Sequence, residues 1–202
     1  MTFDLDYREA RALPDGTRAE LRLIRADDKA LMARGFQALS PYTRYLRFFA
    51  HKQCLTEADL RYLTELDHED HLAIGAVGIG ADGVQIPMGI ARFIRERDPA
   101  VAEAALVVVD AFQGQGLGTV LLARLAAAAH ERGVRALRFT ALAENRALAH
   151  LVHKVFTEVE ASPVEEGTRT FLAACGPTRS ASHARGPTPR LLTPPPRRAL
   201  RT

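Results

Sequence analysis

Tryptophan is absent from this 202-residue sequence, and cysteine occurs only as Cys54 and Cys175. Two cysteines without a CxxC spacing do not make a disulfide framework, which favours the reducing cytoplasm. Long hydrophobic runs are lacking too, because Arg124 and His130 interrupt the most apolar stretch and a membrane helix needs roughly 18 apolar residues. The N-terminus is acidic and lacks the apolar segment of a secretory signal. The sequence therefore predicts a soluble cytoplasmic protein without a membrane span.

Acidic residues are absent from Gly176 onward, where the sequence holds six arginines and many prolines. The first 175 residues hold 21 basic and 24 acidic side chains, so the net charge of +3 conceals a mildly acidic body. This balance argues against a specific nucleic-acid partner. The composition predicts an N-terminal arm over residues 1–19, a domain over 20–175 and a Pro/Arg-rich tail over 176–202. We expect the tail to be disordered, because it has too little apolar surface to offset its ordering entropy.

Strand-like and helix-like segments alternate along the body of the chain. Polar residues suited to capping, some followed by proline, predict where helices begin. The predicted helices begin near Asp27, Ser40, Thr56, Gly116 and Asn145. The predicted strands cover residues 20–25, 71–80, 85–96, 101–109, 136–142, 157–161 and 168–173. Early hairpin strands followed by two strand–helix units predict an α/β fold with a mixed sheet.

The most informative segment is the Gly-rich loop that joins strand 101–109 to the next helix. It reads Gln-Gly-Gln-Gly-Leu-Gly over residues 113–118. Its glycines let a ligand approach the backbone, and the first amides of the following helix have no partners, so the loop suits a pyrophosphate. A dinucleotide fingerprint would need a glycine where Thr119 stands, and a Walker loop would need a lysine that is missing.

The spacing of Gln113, Gly116 and Gly118 instead resembles the coenzyme A signature of the GNAT superfamily of N-acetyltransferases. Residues 39–49, 67–71 and 101–103 resemble the catalytic domain of bacterial protein lysine acetyltransferases. The resemblance covers roughly residues 20–160 and implies a mixed, mostly antiparallel central sheet flanked by helices. It also implies acetyl-CoA as acyl donor, and an amine acceptor that is either a small molecule or a protein lysine.

A base is required in this chemistry, because a lysine-like amine with a pKa near 10.4 is almost entirely protonated at pH 7. Glu103 is the candidate, since its neighbours are Ala and Val and a carboxylate among apolar residues is a better proton acceptor. The resemblance places the family's catalytic Glu at the corresponding strand position. It further implies thioester-binding backbone amides around 107–109 and a coenzyme A contact at Asn145, although a helix-capping Asn would look the same. The candidate cofactor-binding residues are Val107, Val108, Val109, Gln113, Gly114, Gln115, Gly116, Leu117, Gly118, Thr119 and Asn145.

The sequence departs from the family pattern in the helix that begins at Asn145. Many relatives carry a general-acid Tyr there, whereas this chain's tyrosines lie at positions 7, 42, 45 and 62. His150, His153 or solvent would then protonate the leaving thiolate, and solvent is favoured. Because the helix near residue 45 borders the acceptor cleft in this family, Arg44 and Arg47 are candidates for shaping acceptor choice.

Several alternatives stay open at this point. The protein is either an acetyltransferase for protein lysine, one for small amines or amino acids, or a non-catalytic acyl-CoA-binding module. Residues 67–71 are rich in Asp and His, but contiguous ligands cannot all converge on one ion, so no metal is predicted. The oligomeric state is open as well, with a homodimer among the options.

Overall fold

The computed structural model describes residues 2–80 and 83–176. The strands are β1 (Arg8–Ala12), β2 (Arg18–Leu23), β3 (His71–Ile79), β4 (Gln85–Arg95), β5 (Val101–Val108), β6 (Ala136–Leu142), β7 (Val159–Ala161) and β8 (Thr168–Ala174). The helices are α1 (Lys29–Gln37), α2 (Pro41–Phe48), α3 (Glu57–Thr64), α4 (Leu117–Glu131) and α5 (Arg146–Val155). Short 3-10 turns precede α1 and follow β5. The predicted tail lies outside the described residues, apart from Gly176.

The eight strands form one sheet in the order β1-β2-β3-β4-β5-β6-β8-β7. The pair β5–β6 is parallel and the other neighbouring pairs are antiparallel. Helices α1 to α3 lie on one face of the sheet, and α4 and α5 lie on the other. The predicted fold class, a mixed and mostly antiparallel sheet flanked by helices, is confirmed.

The N-terminal residues do not form an arm apart from the domain. Strand β1 pairs along its whole length with β2, and Phe3, Tyr7 and Leu13 are buried in the main core. This strand has little signal in the sequence, because β1 reads Arg-Glu-Ala-Arg-Ala and lacks β-branched and aromatic residues. Pairing with β2 supplies the order that local propensity does not.

Three of the predicted helix starts, at Ser40, Thr56 and Asn145, have the expected caps. The Ser40 hydroxyl accepts a hydrogen bond from the Thr43 amide, and Thr56 with Asp59 forms a capping box at α3. The start predicted at Asp27 is wrong by one position. Helix α1 is preceded by Asp28, which is buried and bonds both nitrogens of the Arg22 fork at 2.6 and 2.7 Å. A buried carboxylate needs such a partner, whereas Asp27 is exposed.

Helix α4 anchors the Gly-rich loop to the sheet. Its Leu121, Leu122 and Leu125 are fully buried against the core, together with Phe93 of β4 and Phe139 of β6. Burying a side chain of this size contributes on the order of 1.5–3 kcal/mol. The position of the helix N-terminus relative to β5 is therefore set by core packing.

Within the described ranges, no helix is both long enough and apolar enough to cross a membrane.

Candidate active site

Strands β5 and β6 run parallel and then separate. Their register pairs Val101, Ala102 and Glu103 of β5 with β6 and goes no further, although β5 continues to Val108 along β4. From Ala104 onward, the β6-facing edge of β5 therefore lines a gap in the sheet. Backbone groups on that edge are left for other partners.

Alternation along β5 decides which amides face this gap. The Val109 amide donates to Met88 O at 2.9 Å, and in an antiparallel pair every second residue faces the same neighbour. Val107 and Val109 therefore direct their amides to the β4 side, while Leu106 and Val108 direct theirs into the gap. Of the three predicted amides, Val108 alone is available. Leu106 joins it, and the sequence did not identify Leu106 because the edge that is free depends on the pairing.

The Gly-rich loop closes one end of the gap. Gly114 and Gly116 adopt φ values of 74° and 82°, a left-handed backbone that favours glycine. The Gln113 side chain donates to Val108 O at 2.9 Å and so ties the loop to β5. In the described part of the chain, the amides of residues 114–119 have no hydrogen-bond acceptor. These six amides, at the positive end of the α4 dipole, fit a pyrophosphate.

A cleft of about 650 Å³ runs along the gap and the loop, and it brings together most of the predicted site. The predicted residues that line it are Glu103, Val107, Val108, Gln113, Gly114, Gly116, Gly118, Thr119 and Asn145. Three do not line it, namely Val109, Gln115 and Leu117. Leu117 is 1% exposed and belongs to the core. A cleft of this size holds an extended small molecule.

Gly118 allows α4 to lie close to β5 at the base of the cleft. A Cβ atom at this position would lie 3.3 Å from Leu151 of α5 and 3.6 Å from both Leu106 and Val108. The absence of a side chain lets α5 and β5 approach α4 closely.

Glu103 lies where β5 and β6 begin to separate, at the end of their last pair. The apolar environment expected for it is wrong, because its side chain is exposed in the cleft. Its charged neighbours are Arg47 of α2 and Arg92 of β4. Alternation in β5 turns Glu103 away from its Ala neighbours and toward the α1–α3 face. The residues next to Glu103 in the sequence therefore did not indicate which residues surround its side chain.

Helix α5 contributes the far wall of the cleft. Asn145 caps it by accepting the Leu148 amide at 3.0 Å, and the same residue lines the cleft. His150 lines the cleft and is exposed, whereas His153 packs edge-on against Phe171 outside it. Of the two predicted histidines, His150 alone is in reach of a ligand there.

Tyr42 of α2 also lines the cleft and is 57% exposed. A tyrosine thus enters the site from a helix far from α5 in sequence. The apolar residues around Tyr42 recur at helical spacing, as they do on a helix face that packs against a core. That spacing shows which residues share a face but not whether a cleft crosses the face.

The two arginines considered for acceptor choice have different surroundings. Arg44 donates to Gln37 O and Gln53 O and lies over the Phe36 ring, so it holds the helices together. Arg47 lines the cleft, and its guanidinium lies 5.0 Å from the centre of the Phe48 ring. Of the two arginines, Arg47 is thus the one that reaches the cleft.

The Asp67–His71 segment forms a tight turn before β3. One oxygen of Asp67 accepts the amides of Glu69, Asp70 and His71, each at 2.9 Å. Burial, followed by the charge of Arg92, lowers the pKa of His71 to about 4, so its ring is neutral at pH 7. Because the Asp67 carboxylate already accepts these three backbone amides, its role is to stabilise the turn.

A sheet that opens beside a Gly-rich loop and a helix N-terminus defines an acyl-CoA transferase fold, and comparison with known proteins gives the family. Residues 36–156 match the acetyltransferase (GNAT) family. Acetyltransferase PA5475 of Pseudomonas aeruginosa is 30% identical over 140 residues, which are 69% of this chain and 75% of that protein. The chain belongs to the GNAT family of acetyltransferases.

Two further matches lie within the same family. Acetyltransferase Pat of Mycolicibacterium smegmatis is 31% identical over 159 residues, covering 72% of this chain and 46% of that protein. The chain thus spans about half the length of that relative. The crystal structure of the GNAT domain of S. lividans PAT superposes with a TM-score of 0.73 at 26% identity, covering 83% of this chain and 96% of that domain.

Proposed function

We propose that this protein transfers an acetyl group from acetyl-CoA to a primary amine by direct attack of the amine on the thioester. The observation that carries the proposal is the convergence of three features in one cleft. These are the unpaired amides of residues 114–119, the free edge of β5, and the exposed carboxylate of Glu103.

The donor is held at two places along the cleft. The amides of the Gly-rich loop receive the pyrophosphate, because they lack acceptors at a helix N-terminus and Gly114, Gly116, Gly118 and Thr119 line the cleft. The pantetheine arm extends along the free edge of β5, where the Leu106 and Val108 amides donate hydrogen bonds. One of these amides stabilises the negative charge that develops on the thioester oxygen during attack.

The acceptor approaches from the α2 side, where Glu103 lies. Deprotonating an amine of pKa near 10.4 at pH 7 costs roughly 4–5 kcal/mol, so a base that takes the proton lowers the barrier. Glu103 takes it, directly or through one water, as the nitrogen forms its bond to the acetyl carbon. The carbon–sulfur bond then breaks, and the thiolate takes a proton from solvent, with the exposed His150 and Tyr42 at the cleft wall as further donors.

Protein lysine is one acceptor class under this proposal. The resemblance of residues 39–49 to lysine acetyltransferases and the similarity to acetyltransferase Pat support it. An open cleft bordered by α2 and α5 admits a lysine side chain as well as a free amine.

The test is acetyl transfer from acetyl-CoA to a panel of small amines, amino acids and lysine peptides, read by thiol release and product mass. We expect Glu103→Gln to lower turnover at pH 7 by about 10²–10⁴-fold, with a loss that shrinks as pH approaches the pKa of the amine. Glu160→Gln, an exposed acid on β7, is the matched control. Wild-type turnover by Glu103→Gln across the pH range would contradict its role as base. Acetyl-CoA binding without transfer to any acceptor would favour a non-catalytic module.

A further inference from the structure

Two arginines converge beside Glu103 without carboxylate partners. Arg92 is 4% exposed, and its Nε and Nη1 atoms have no hydrogen-bond partner. Its third nitrogen reaches Tyr62 O at a long 3.3 Å. Across residues 2–80 and 83–176, neither Arg47 nor Arg92 forms an ion pair with any carboxylate.

The sheet provides room around Arg92. In the strand register, Arg92 lies between Ala73 of β3 and Ala105 of β5, two of the smallest side chains. A cavity of about 70 Å³ lies next to it, lined by Arg47, Arg92, Asp28 and apolar residues. The Asp28 carboxylate is already neutralised by Arg22, which donates to both of its oxygens. Arg47 and Val107 line both this cavity and the large cleft, so the two spaces adjoin at that point. The cavity has room for a carboxylate group but not for a large side chain.

Around Arg47 and Arg92, positive charge exceeds negative charge. Burial and the neighbouring charge of Arg47 lower the pKa of Arg92 to about 10, so it stays protonated at pH 7. Burial also lowers the pKa of Arg47, against the attraction of Glu103. His71, which also faces Arg92, is neutral at this pH. Two cations therefore face one exposed carboxylate. Arg92 also lies over the Tyr62 ring at 5.0 Å, but a buried guanidinium without an anionic partner is costly.

We infer that Arg47 and Arg92 bind a carboxylate of the acceptor, so that the preferred substrates are amines that also carry a carboxylate. This inference rests on the proposed function and names its substrate class. The guanidinium groups hold the carboxylate in the small cavity through charge-assisted hydrogen bonds. The amine then lies toward Glu103 and the free edge of β5. Free amino acids carry this chemistry, and so does a peptide lysine next to an aspartate.

The experiment compares acceptors that differ in the carboxylate alone. The probes are the free amino acids, their C-terminal amides, and two blocked peptides in which one lysine neighbours either Asp or Asn. For wild-type protein, we expect kcat/KM for the acid to exceed that for its amide by about 10²–10⁴-fold, because removing the anion leaves the buried guanidinium unpaired. Preference for free amino acids or for the Asp-lysine peptide identifies the source of the carboxylate.

Arg47→Met and Arg92→Met test the two arginines, with Arg61→Met on the exposed face of α3 as control. Each test variant is expected to lower the acid-to-amide ratio at least tenfold, while Arg61→Met leaves it unchanged. Replacing a buried unpaired charge by an apolar chain keeps or raises Tm, whereas a purely structural arginine would lower Tm without changing the ratio. A wild-type ratio near one, or an unchanged ratio in both variants, overturns the inference.

Calorimetry with CoA and an N-acetyl amino acid separates this inference from the proposed function. Binding that needs the carboxylate and is lost in Arg92→Met supports the carboxylate site even if no amine is acetylated. Transfer to amines with no preference for the acid leaves the proposed function intact and overturns the carboxylate site alone.

Discussion

Asp110 accepts two hydrogen bonds from Ser40, seventy positions earlier in the chain, at 2.9 Å from the backbone amide and 2.8 Å from the hydroxyl. The Thr43 hydroxyl donates to the same carboxylate at 2.7 Å. Since Asp110 lies two residues after the end of β5, these bonds hold the start of α2 against the segment that leads into the Gly-rich loop. The α2 wall of the cleft and the Gly-rich loop are thereby held in a fixed relation.

Asp110→Asn removes the charge from this junction and leaves one oxygen to accept three donors. We expect the free energy of unfolding to fall by about 0.5–1.5 kcal/mol, measured by urea denaturation, and KM for the amine to rise. Partial burial acts to raise the pKa of Asp110, but the hydrogen bonds from Ser40 and Thr43 outweigh it and hold the pKa below its usual range. The difference from wild type should therefore disappear at acid pH. Asp27→Asn, on an exposed carboxylate, is the control. An equal loss of unfolding free energy in both variants would show that the bonds from Ser40 and Thr43 to Asp110 do not stabilise the protein.

Thr119 offers a test of the pyrophosphate site without backbone strain. It lies in the first turn of α4 and lines the cleft. Thr119→Asp places a negative charge where the helix dipole favours it, so Tm should stay level or rise. The same charge repels the pyrophosphate, and acetyl-CoA affinity should fall about 10–100-fold by calorimetry. Thr119→Asn has the same shape without the charge and should stay near wild type; identical behaviour of the two variants would place the pyrophosphate elsewhere.

Glu9 joins β1 to α4. Arg124 donates to both of its oxygens, at 2.6 and 2.9 Å, and Tyr7 donates its hydroxyl at 2.7 Å. Burial acts to raise the pKa of Glu9, but Arg124 and Tyr7 outweigh it and lower the pKa to about 2. Because the folded-state pKa is lowered, the stabilisation is present above about pH 4.5 and is lost as pH falls toward 2.

Glu9→Gln should therefore lower the free energy of unfolding by about 1–3 kcal/mol at pH 7, because it leaves Arg124 without its charged partner. The difference in the free energy of unfolding between this variant and wild type should decrease as pH falls below 4.5. Denaturant titrations at a series of pH values measure this. Glu20→Gln, on a more exposed carboxylate, provides the comparison. A difference in the free energy of unfolding that does not depend on pH would show that the ion pair does not contribute to stability.

The two cysteines should react at very different rates. Cys175 is 6% exposed, and burial raises the pKa of its thiol to about 12, so it holds almost no thiolate at pH 8. Cys54 is exposed. Alkylation of native protein should label Cys54 alone, and unfolding in urea should add the second label, as followed by intact mass. Rapid labelling of Cys175 in the native state would show that the end of β8 opens readily.

The sequence predicted local features well. Alternation located β3 to β6 within one or two residues, polar caps located α2 and α3, and glycine spacing identified the loop at the start of α4. Each of these signals is carried by residues close together in the chain, where propensity, capping and turn chemistry act. The family resemblance rested on the same contiguous segments and is confirmed by the match over residues 36–156.

Tertiary structure decided what depends on distant pairing. Strand β1 is ordered by β2, the free edge of β5 follows from where β6 diverges, and Tyr42 enters the cleft from another layer. The cluster of Arg47, Arg92 and Glu103 comes from three elements spread over 57 positions, so no local pattern marks it. Burial of a charged side chain is a product of packing rather than of neighbours in sequence, and that is why the sequence assigned Glu103 an apolar environment and left Arg92 unremarked.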